Sequence, residues 1–422
     1  MTYQTLSDNE LTALASELER DYELLAGNRL SLDLSRGKPA PDQLALSHGL
    51  DDVINGDYVA SDGTDVRNYG NLRGLPEARD LGAEILGVPA TNVIAGGNSS
   101  LALMHLVVTT AMRNGLWDDD RRWVTPARVL TPVPGYDRHF TLSQRLGLEM
   151  VNIDMTEDGP DLDQAEALTA ADPTIKGIWC VPKYSNPTGC TYSADVVERL
   201  ARLPAIAAAD DFLVLWDNAY AVHDLGPDGS ELKSIFSAAG KQRTDDHVVQ
   251  FASTSKITFA GAGVAFVAAT ETVLAALVDE LQYMTIGPDK VNQLRHARFL
   301  KHRLRDHMQS HARLLAPKFD IVLDTLAREL GDTGVAQWTQ PTGGYFVSLD
   351  LLPGLATEVV AMAKAVGLTL TPAGATFPYG RDPQDRNVRI APTFAGIEEL
   401  KTAMHVLTLC VKLASIRQLA TA

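Results

Sequence analysis

Between residues 55 and 290, short apolar or β-branched runs alternate with longer helical stretches, and nothing else in the chain constrains the fold as strongly. "NVIAGG" precedes "LALMHLVVTTAMRN", "RVLTPVPG" precedes "YDRHFTLSQRLG", and "GIWCVPK" precedes "SADVVERLARL"; "FLVLWDNAY" and "HVVQFASTSK" continue the series. Parallel strands need crossovers, and helical crossovers bury both faces of the sheet, so such strands read as continuous apolar runs. The expectation is an α/β domain with a mostly parallel sheet. Beyond it, residues 291–330 read as one long charged helix. Strands in "GGYFVSLDL", "GLTLTPAG" and "NVRIAPTF" and a final helix from about Ile397 then make a smaller α+β unit.

At the N-terminus, Ser7-x-x-Glu10 is a capping-box pattern, and Leu11, Leu14 and Leu18 continue it as an amphipathic helix. Residues 31–50 read as irregular around "SRGKPAP". A chain of 422 residues is too long for one small core. The expected division is a large domain over 50–290 and a small domain assembled from 1–49 and 291–422.

The net charge of −16 argues against a nucleic-acid footprint, which needs clustered positive charge. Cys180, Cys190 and Cys410 have neither zinc spacing nor a disulfide framework, so no metal is expected and a reducing cytoplasm is. No signal peptide and no run of about 20 apolar residues is read, so no membrane partner is expected.

Open α/β sheets bind ligands beyond the carboxyl ends of their strands. "FLVLW" ends in Asp217, with Tyr220 three residues on; "VVQFAST" ends in Ser255-Lys256; "IWCV" runs into the turn Asn186-Pro187-Thr188-Gly189; "NVIA" runs into "GGNSS". Glycines, free N–H groups and two hydroxyls at a helix start suit a phosphate; taken alone, the stretch reads first as a helix start with Asn98 or Ser99 as N-cap. Asp217 after five apolar residues needs a partner such as a cation or a protonated ring nitrogen, or it caps the "NAYAVHDL" segment after it. Lys256, in small apolar surroundings, is open to activation by desolvation. Arg389 alternates with Val388 and Ile390 and so faces away from the core, either as a surface residue or as a fork for a carboxylate.

His296, His302, His307 and His311 read as the solvated, basic face of the long helix, since no third ligand or H-E-x-x-H acid accompanies the His307/His311 pair. No G-x-S-x-G and no G-x-G-x-x-G after a strand is present, which removes support for hydrolase and dinucleotide chemistry.

The order of these pieces resembles the class I/II aminotransferases of the fold-type I pyridoxal-phosphate enzymes, through "NPTG", "DNAY" and "SxSK", from "YGNLRGLPEAR" to Arg389. "SRGKPAP", "GNSSLALMH", "PVPGYDRHF" and "IGPDKVNQLRH" resemble a bacterial aspartate aminotransferase-like branch. The resemblance implies a three-layer large domain, pyridoxal 5'-phosphate as cofactor, and a homodimer with its site at the interface. It implies Lys256 as the Schiff-base lysine and proton carrier, and Asp217 on the pyridinium nitrogen. Tyr220 and Asn186 would meet the ring 3-oxygen, with Tyr136 on the ring face. Asn98, Ser99, Ser100 and Ser253 would hold the phosphate, and Tyr69 and Thr285 would reach it from the partner. Arg389, with Gly37 close by, would take the substrate α-carboxylate.

Two departures stand out. The family's arginine eight residues after the lysine is replaced by "AGAGVAF" (260–266), so the phosphate must rely on N–H groups, hydroxyls or a cation from elsewhere. The arginine for a distal carboxylate is also missing, which leaves Lys290, Arg36 or Lys38 for that role. The expected activity is transfer of an amino group from aspartate or glutamate to a 2-oxo acid such as 2-oxoglutarate. The alternatives are aromatic or alanine transamination, a lyase on the same cofactor, or a non-catalytic regulatory module.

Overall fold

The strand ends are gathered by an eight-stranded sheet in a computed structural model that describes residues 2–27, 30–227 and 229–421. The chain enters through α1 (Asp8–Ala26), β1 (Leu32–Asp33) and α2 (Pro41–Ala45). It continues through α3 (Pro76–Leu86), β2 (Val93–Ala95), α4 (Ser100–Arg113), β3 (Arg128–Val133), α5 (Asp137–Arg145), β4 (Glu149–Thr156) and β5 (Gly159–Pro160). Next come α6 (Leu162–Ala171), β6 (Ile175–Cys180), α7 (Ala194–Ile206), β7 (Leu213–Asp217), α8 (Ile235–Gln242), β8 (Val248–Ser253), β9 (Ala265–Ala268) and α9 (Glu271–Met284). After α10 (Lys290–Leu300) and α11 (Leu304–Leu330) come β10 (Ala336–Trp338), β11 (Val347–Leu351), α12 (Ala356–Ala365), β12 (Leu368–Thr369), β13 (Asn387–Ile390) and α13 (Ile397–Leu419).

The main sheet has the order β2-β9-β8-β7-β6-β3-β4-β5. β4, β3, β6, β7 and β8 are mutually parallel, so their carboxyl ends share one edge; β9 and β5 run against their neighbours. Alternate residues of one strand feed opposite faces. Leu213 and Leu215 pack with Val107 of α4 and Val273 of α9, while Val214 and Trp216 pack with Val197 of α7 and Ile235 of α8. The expected three-layer arrangement follows directly from this double burial, each such side chain contributing roughly 1.5–3 kcal/mol.

The capping box at Ser7 is formed: its N–H donates to Glu10 Oε2 at 2.8 Å. β10, β11 and β13 make a small antiparallel sheet over a core shared by α1, α11, α12 and α13. The stretch 31–50 is more ordered than its sequence suggests, because β1 pairs in parallel with β12 and α2 comes next.

The single helix expected over 291–330 is interrupted. α10 stops at Leu300, His302 sits at φ 58°, and α11 restarts at Leu304. Leu294, Phe299, Leu304 and Met308 pack with Val93 and Phe266 of the main sheet, whereas Phe319, Val322 and Leu326 join the small-sheet core. The solvated-face reading holds for His302, which is exposed, and is corrected for the others: His296 and His311 are buried and hydrogen bonded, and His307 is part-buried. Among the described residues, no helix is long and apolar enough to cross a membrane.

Candidate active site

At the end of β7, Asp217 is 2% exposed. Its Oδ2 lies 3.0 Å from His139 Nε2, while its Oδ1 is buried with no partner in the protein. His139, on the first turn of α5, stacks on Trp179 with ring centroids 4.3 Å apart, and Trp179 donates to Ser143 at 3.0 Å. The sequence reading missed His139, whose only signal was its place three residues after Tyr136.

Lys256 leaves the end of β8 with its Nζ 4.9 Å from the Tyr220 ring centre and 5.9 Å from that of Tyr345. Desolvation by burial lowers its pKa below the ordinary 10.5, and the Asp217 carboxylate acts in the opposite direction. Tyr220 is buried, and burial holds its hydroxyl neutral well beyond the usual range. Tyr136 stands at the N-cap of α5, its pKa likewise raised by burial, with Asp217 reinforcing the shift.

Arg389 does face away from the small-sheet core, yet it is no surface residue: 8% exposed, it turns into the cleft. Its Nε and Nη2 donate to Thr371 Oγ1 at 3.3 and 3.2 Å. Its Nη1 reaches Asn186 Oδ1 at 3.3 Å and Asp137 Oδ1 at 3.4 Å. The guanidinium lies 4.8 Å over the Phe346 ring. Gly37 packs on the same ring; a Cβ there would fall 2.2 Å from Phe346 Cζ, so only glycine permits the approach.

Asn186 is 2% exposed within a turn closed by Gly189 N–H to Ser185 O and Ser185 N–H to Cys190 O. Gly189 takes φ 70°, the left-handed region that favours glycine.

Ser99 proves to be the N-cap of α4, accepting from Ala102 N–H at 3.3 Å, and Ser100 is its first residue. Asn98 donates to Gly261 O at 3.1 Å. A cavity of about 400 Å³ opens here, lined by Gly97, Asn98, Gly261, Ala262, Asn292 and Arg295. Arg295 of α10 lines the same wall; its Nη2 donates to Asn292 Oδ1 at 2.8 Å, and its Nε is buried without a partner. Ser253 closes β8, its hydroxyl accepting from Ser255 N–H at 3.4 Å. A larger cavity of about 980 Å³, between Thr188–Cys190 and Trp338–Pro341, contains none of Lys256, Asp217 and Arg389.

Tyr69, Thr285 and Lys290 come together apart from these residues. Gly70 N–H bonds Ile286 O at 2.9 Å, and Thr285 Oγ1 bonds Gly287 O at 2.8 Å. Tyr69 is 80% exposed. Lys290 is buried, with Nζ 2.9 Å from Gly70 O, so it braces this loop and is not presented to the Arg389 cleft. Arg36 is exposed and pairs with Asp33 at 3.2 Å, and Lys38 lies 3.9 Å over the Phe394 ring. Neither contacts Arg389.

The residues present fit pyridoxal phosphate. The unpartnered Asp217 Oδ1 suits a protonated ring nitrogen, the Gly97–Ser100 helix start suits a phosphate, and the desolvated Lys256 amine feels the Asp217 charge.

Comparison with known proteins agrees. The family model described as aspartate amino-transferase matches residues 6–422. An aspartate aminotransferase of Corynebacterium glutamicum is 44% identical over 404 residues, covering 94% of this chain and 93% of that one. The crystal structure of an aspartate transaminase from the same species superposes with a TM-score of 0.96 at 42% identity, covering 99% of each chain. At 23% identity, the α-aminoadipate aminotransferase of Thermus thermophilus, solved with N-(5'-phosphopyridoxyl)-L-leucine, shares the fold with a TM-score of 0.75, covering 92% of this chain and 93% of that one. The chain therefore belongs to the aspartate aminotransferase family and is a pyridoxal-phosphate-dependent aminotransferase.

Proposed function

We propose that this aminotransferase takes its amino group from aspartate or glutamate and returns it to a 2-oxo acid such as 2-oxoglutarate. The observation that carries the chemistry is the buried Asp217 Oδ1, left without a protein partner at the strand end beside Lys256. The named substrate of the Corynebacterium relative supports the choice of donor.

The bound cofactor supplies an electron sink for the bond broken at the substrate Cα. Lys256 would hold it covalently; once the substrate amine displaces Nζ, the freed lysine amine would take the Cα proton and return it to the other end of the system. An amine already short of hydration at neutral pH is a better proton acceptor than an exposed lysine, which supports this role. Asp217 would accept from the protonated ring nitrogen, Asn186 and Tyr220 would donate to the 3-oxygen, and Tyr136 would cover one face. Asn186 accepts from Arg389 through Oδ1, leaving its NH2 group to donate. Ser99, Ser100, Asn98 and Ser253 would hold the phosphate, and Arg295 would supply the counter-charge.

Arg389, backed by Thr371 and Phe346, receives the α-carboxylate beside Gly37. For the distal carboxylate we assign Arg36 at the rim, because Lys290 is committed to Gly70.

We further assign a cofactor-binding unit to residues 50–290, with α10 packed upon it, and a smaller unit to the remainder. A homodimer brings Tyr69 and Thr285 to the partner's phosphate; exposed Tyr69, Tyr283, Met284 and Ile286 form the apolar surface that supports it. The three free cysteines, two of them buried, suit the cytoplasm.

Single-turnover spectra with a panel of donors test the substrate reading. Aspartate and glutamate should bleach the visible band fastest, and faster loss with tyrosine or alanine would replace that reading.

A further inference from the structure

Beneath Lys256 lies a buried polar chain for which the chemistry above has no use. Gln43 is 0% exposed. Its Oε1 accepts from Ala40 N–H at 3.0 Å, and its Nε2 donates both to His311 Nδ1 at 3.2 Å and to Tyr345 Oη at 3.1 Å. With Nδ1 accepting, His311 carries its proton on Nε2, which lies 2.9 Å from Ile257 O. The Tyr345 hydroxyl donates onward to Lys256 O at 3.4 Å. His223 Nε2 reaches the same carbonyl at 3.3 Å, and His307 Nε2 reaches Ile257 O at 2.7 Å.

All donors in this chain point one way, from the Ala40 amide to the two carbonyls that seat the lysine. Both polar atoms of the Gln43 amide are engaged within the protein, and both of its N–H bonds are used. At its other end, Ala40 closes the loop that carries Gly37, which packs on the Phe346 ring beneath the Arg389 guanidinium. One buried amide therefore joins the two ends of the cleft.

We infer that Gln43 is a positioning residue, tying the loop at Gly37 to the backbone of Lys256 through His311 and Tyr345. This rests on the reading of Lys256 as the cofactor lysine. The burial of all three relay side chains supports the inference, since a buried polar network is rigid only when every member is satisfied.

The test uses holoenzyme and two readouts: the pH midpoint of the visible cofactor band, and the Kd of succinate, a dicarboxylate with no amino group to transfer. Gln43→Met, close in volume but apolar, should shift the midpoint by about half a pH unit or more and weaken succinate several-fold. His311→Leu should shift the midpoint alike, and the double variant should go no further, because the two changes break one chain. Tyr345→Phe removes a single hydroxyl and serves where the other variants fail to fold; it should move the midpoint in the same direction. An unchanged midpoint and succinate Kd in Gln43→Met or Tyr345→Phe, or shifts that add as for independent sites, would overturn the inference. A Lys256→Ala protein that keeps the visible band would instead sink the lysine assignment beneath it.

Discussion

His139 Nε2 stands 3.0 Å from Asp217 Oδ2, with both side chains nearly withdrawn from water. The ring also lies almost flat on Trp179, at an interplanar angle of 14°, so packing and hydrogen bonding fix the same orientation. One carboxylate oxygen is thereby held by the protein while the other is left buried without a protein partner. The pair converts an ordinary strand-end acid into an aimed one.

Replacing His139 by Leu leaves both Asp217 oxygens unpartnered in a buried site. The apoprotein should lose roughly 1–3 kcal/mol in urea unfolding, and the carboxylate, no longer held in one orientation, should become a poorer partner for the ring nitrogen. Turnover should fall with it. His139→Gln, which keeps a donor, should recover most of both losses; equal damage from the two variants would contradict the assignment.

Acid should unfold the protein partly through its buried histidines. Burial takes His223 down to about 3, and His296 and His311 to about 4, from the ordinary 6.5. The unfolded chain binds these protons first. Stability is therefore full above about pH 6.5, falls as the pH drops toward 4, and stops changing below the folded values. For His296 the full change is on the order of 3 kcal/mol. His296→Gln should flatten the loss between urea unfolding at pH 7 and at pH 4.5, and an unaltered pH dependence would count against a buried neutral imidazole.

The proposal that Arg295 takes the place of the missing phosphate cation makes cofactor affinity its natural readout. Titrating Arg295→Leu apoprotein with pyridoxal phosphate should give a Kd about tenfold higher, the worth of one charge-assisted hydrogen bond of about 1.4 kcal/mol. Wild-type affinity would mean that N–H groups and hydroxyls suffice.

The Asn186 turn depends on Gly189. An alanine there would hold φ at 70° and press its Cβ to 2.4 Å from Pro341 Cβ. Gly189→Ala should destabilise by about 1–3 kcal/mol and, by shifting Asn186, lower turnover more than it weakens substrate binding. A stable variant with normal turnover would show that the turn does not aim the amide.

Asp217, Asn186, Lys256 and the Gly97–Ser100 helix start were legible because each ends or closely follows a strand of the main sheet, where position alone implies a ligand-facing edge. His139 was not, since a polar residue on the first turn of a helix looks the same whether it faces water or a carboxylate. The histidines of α10 and α11 were misread for a related reason. Arg295, Arg298, Arg303 and Arg305 share their stretch, and the charge pattern concealed an inward face that packs on the lysine loop. The break at Lys301–Arg303 carries no glycine or proline to announce it, and β9, only four residues long, runs against the sheet without a helix before it.

The mechanism stands or falls on Lys256 as the amine that bonds the cofactor. Reducing the holoenzyme with borohydride and mapping the modified peptide by mass spectrometry decides the matter. The cofactor mass should appear on the peptide containing Lys256 and on no other lysine; attachment elsewhere, or no attachment, would contradict the assignment.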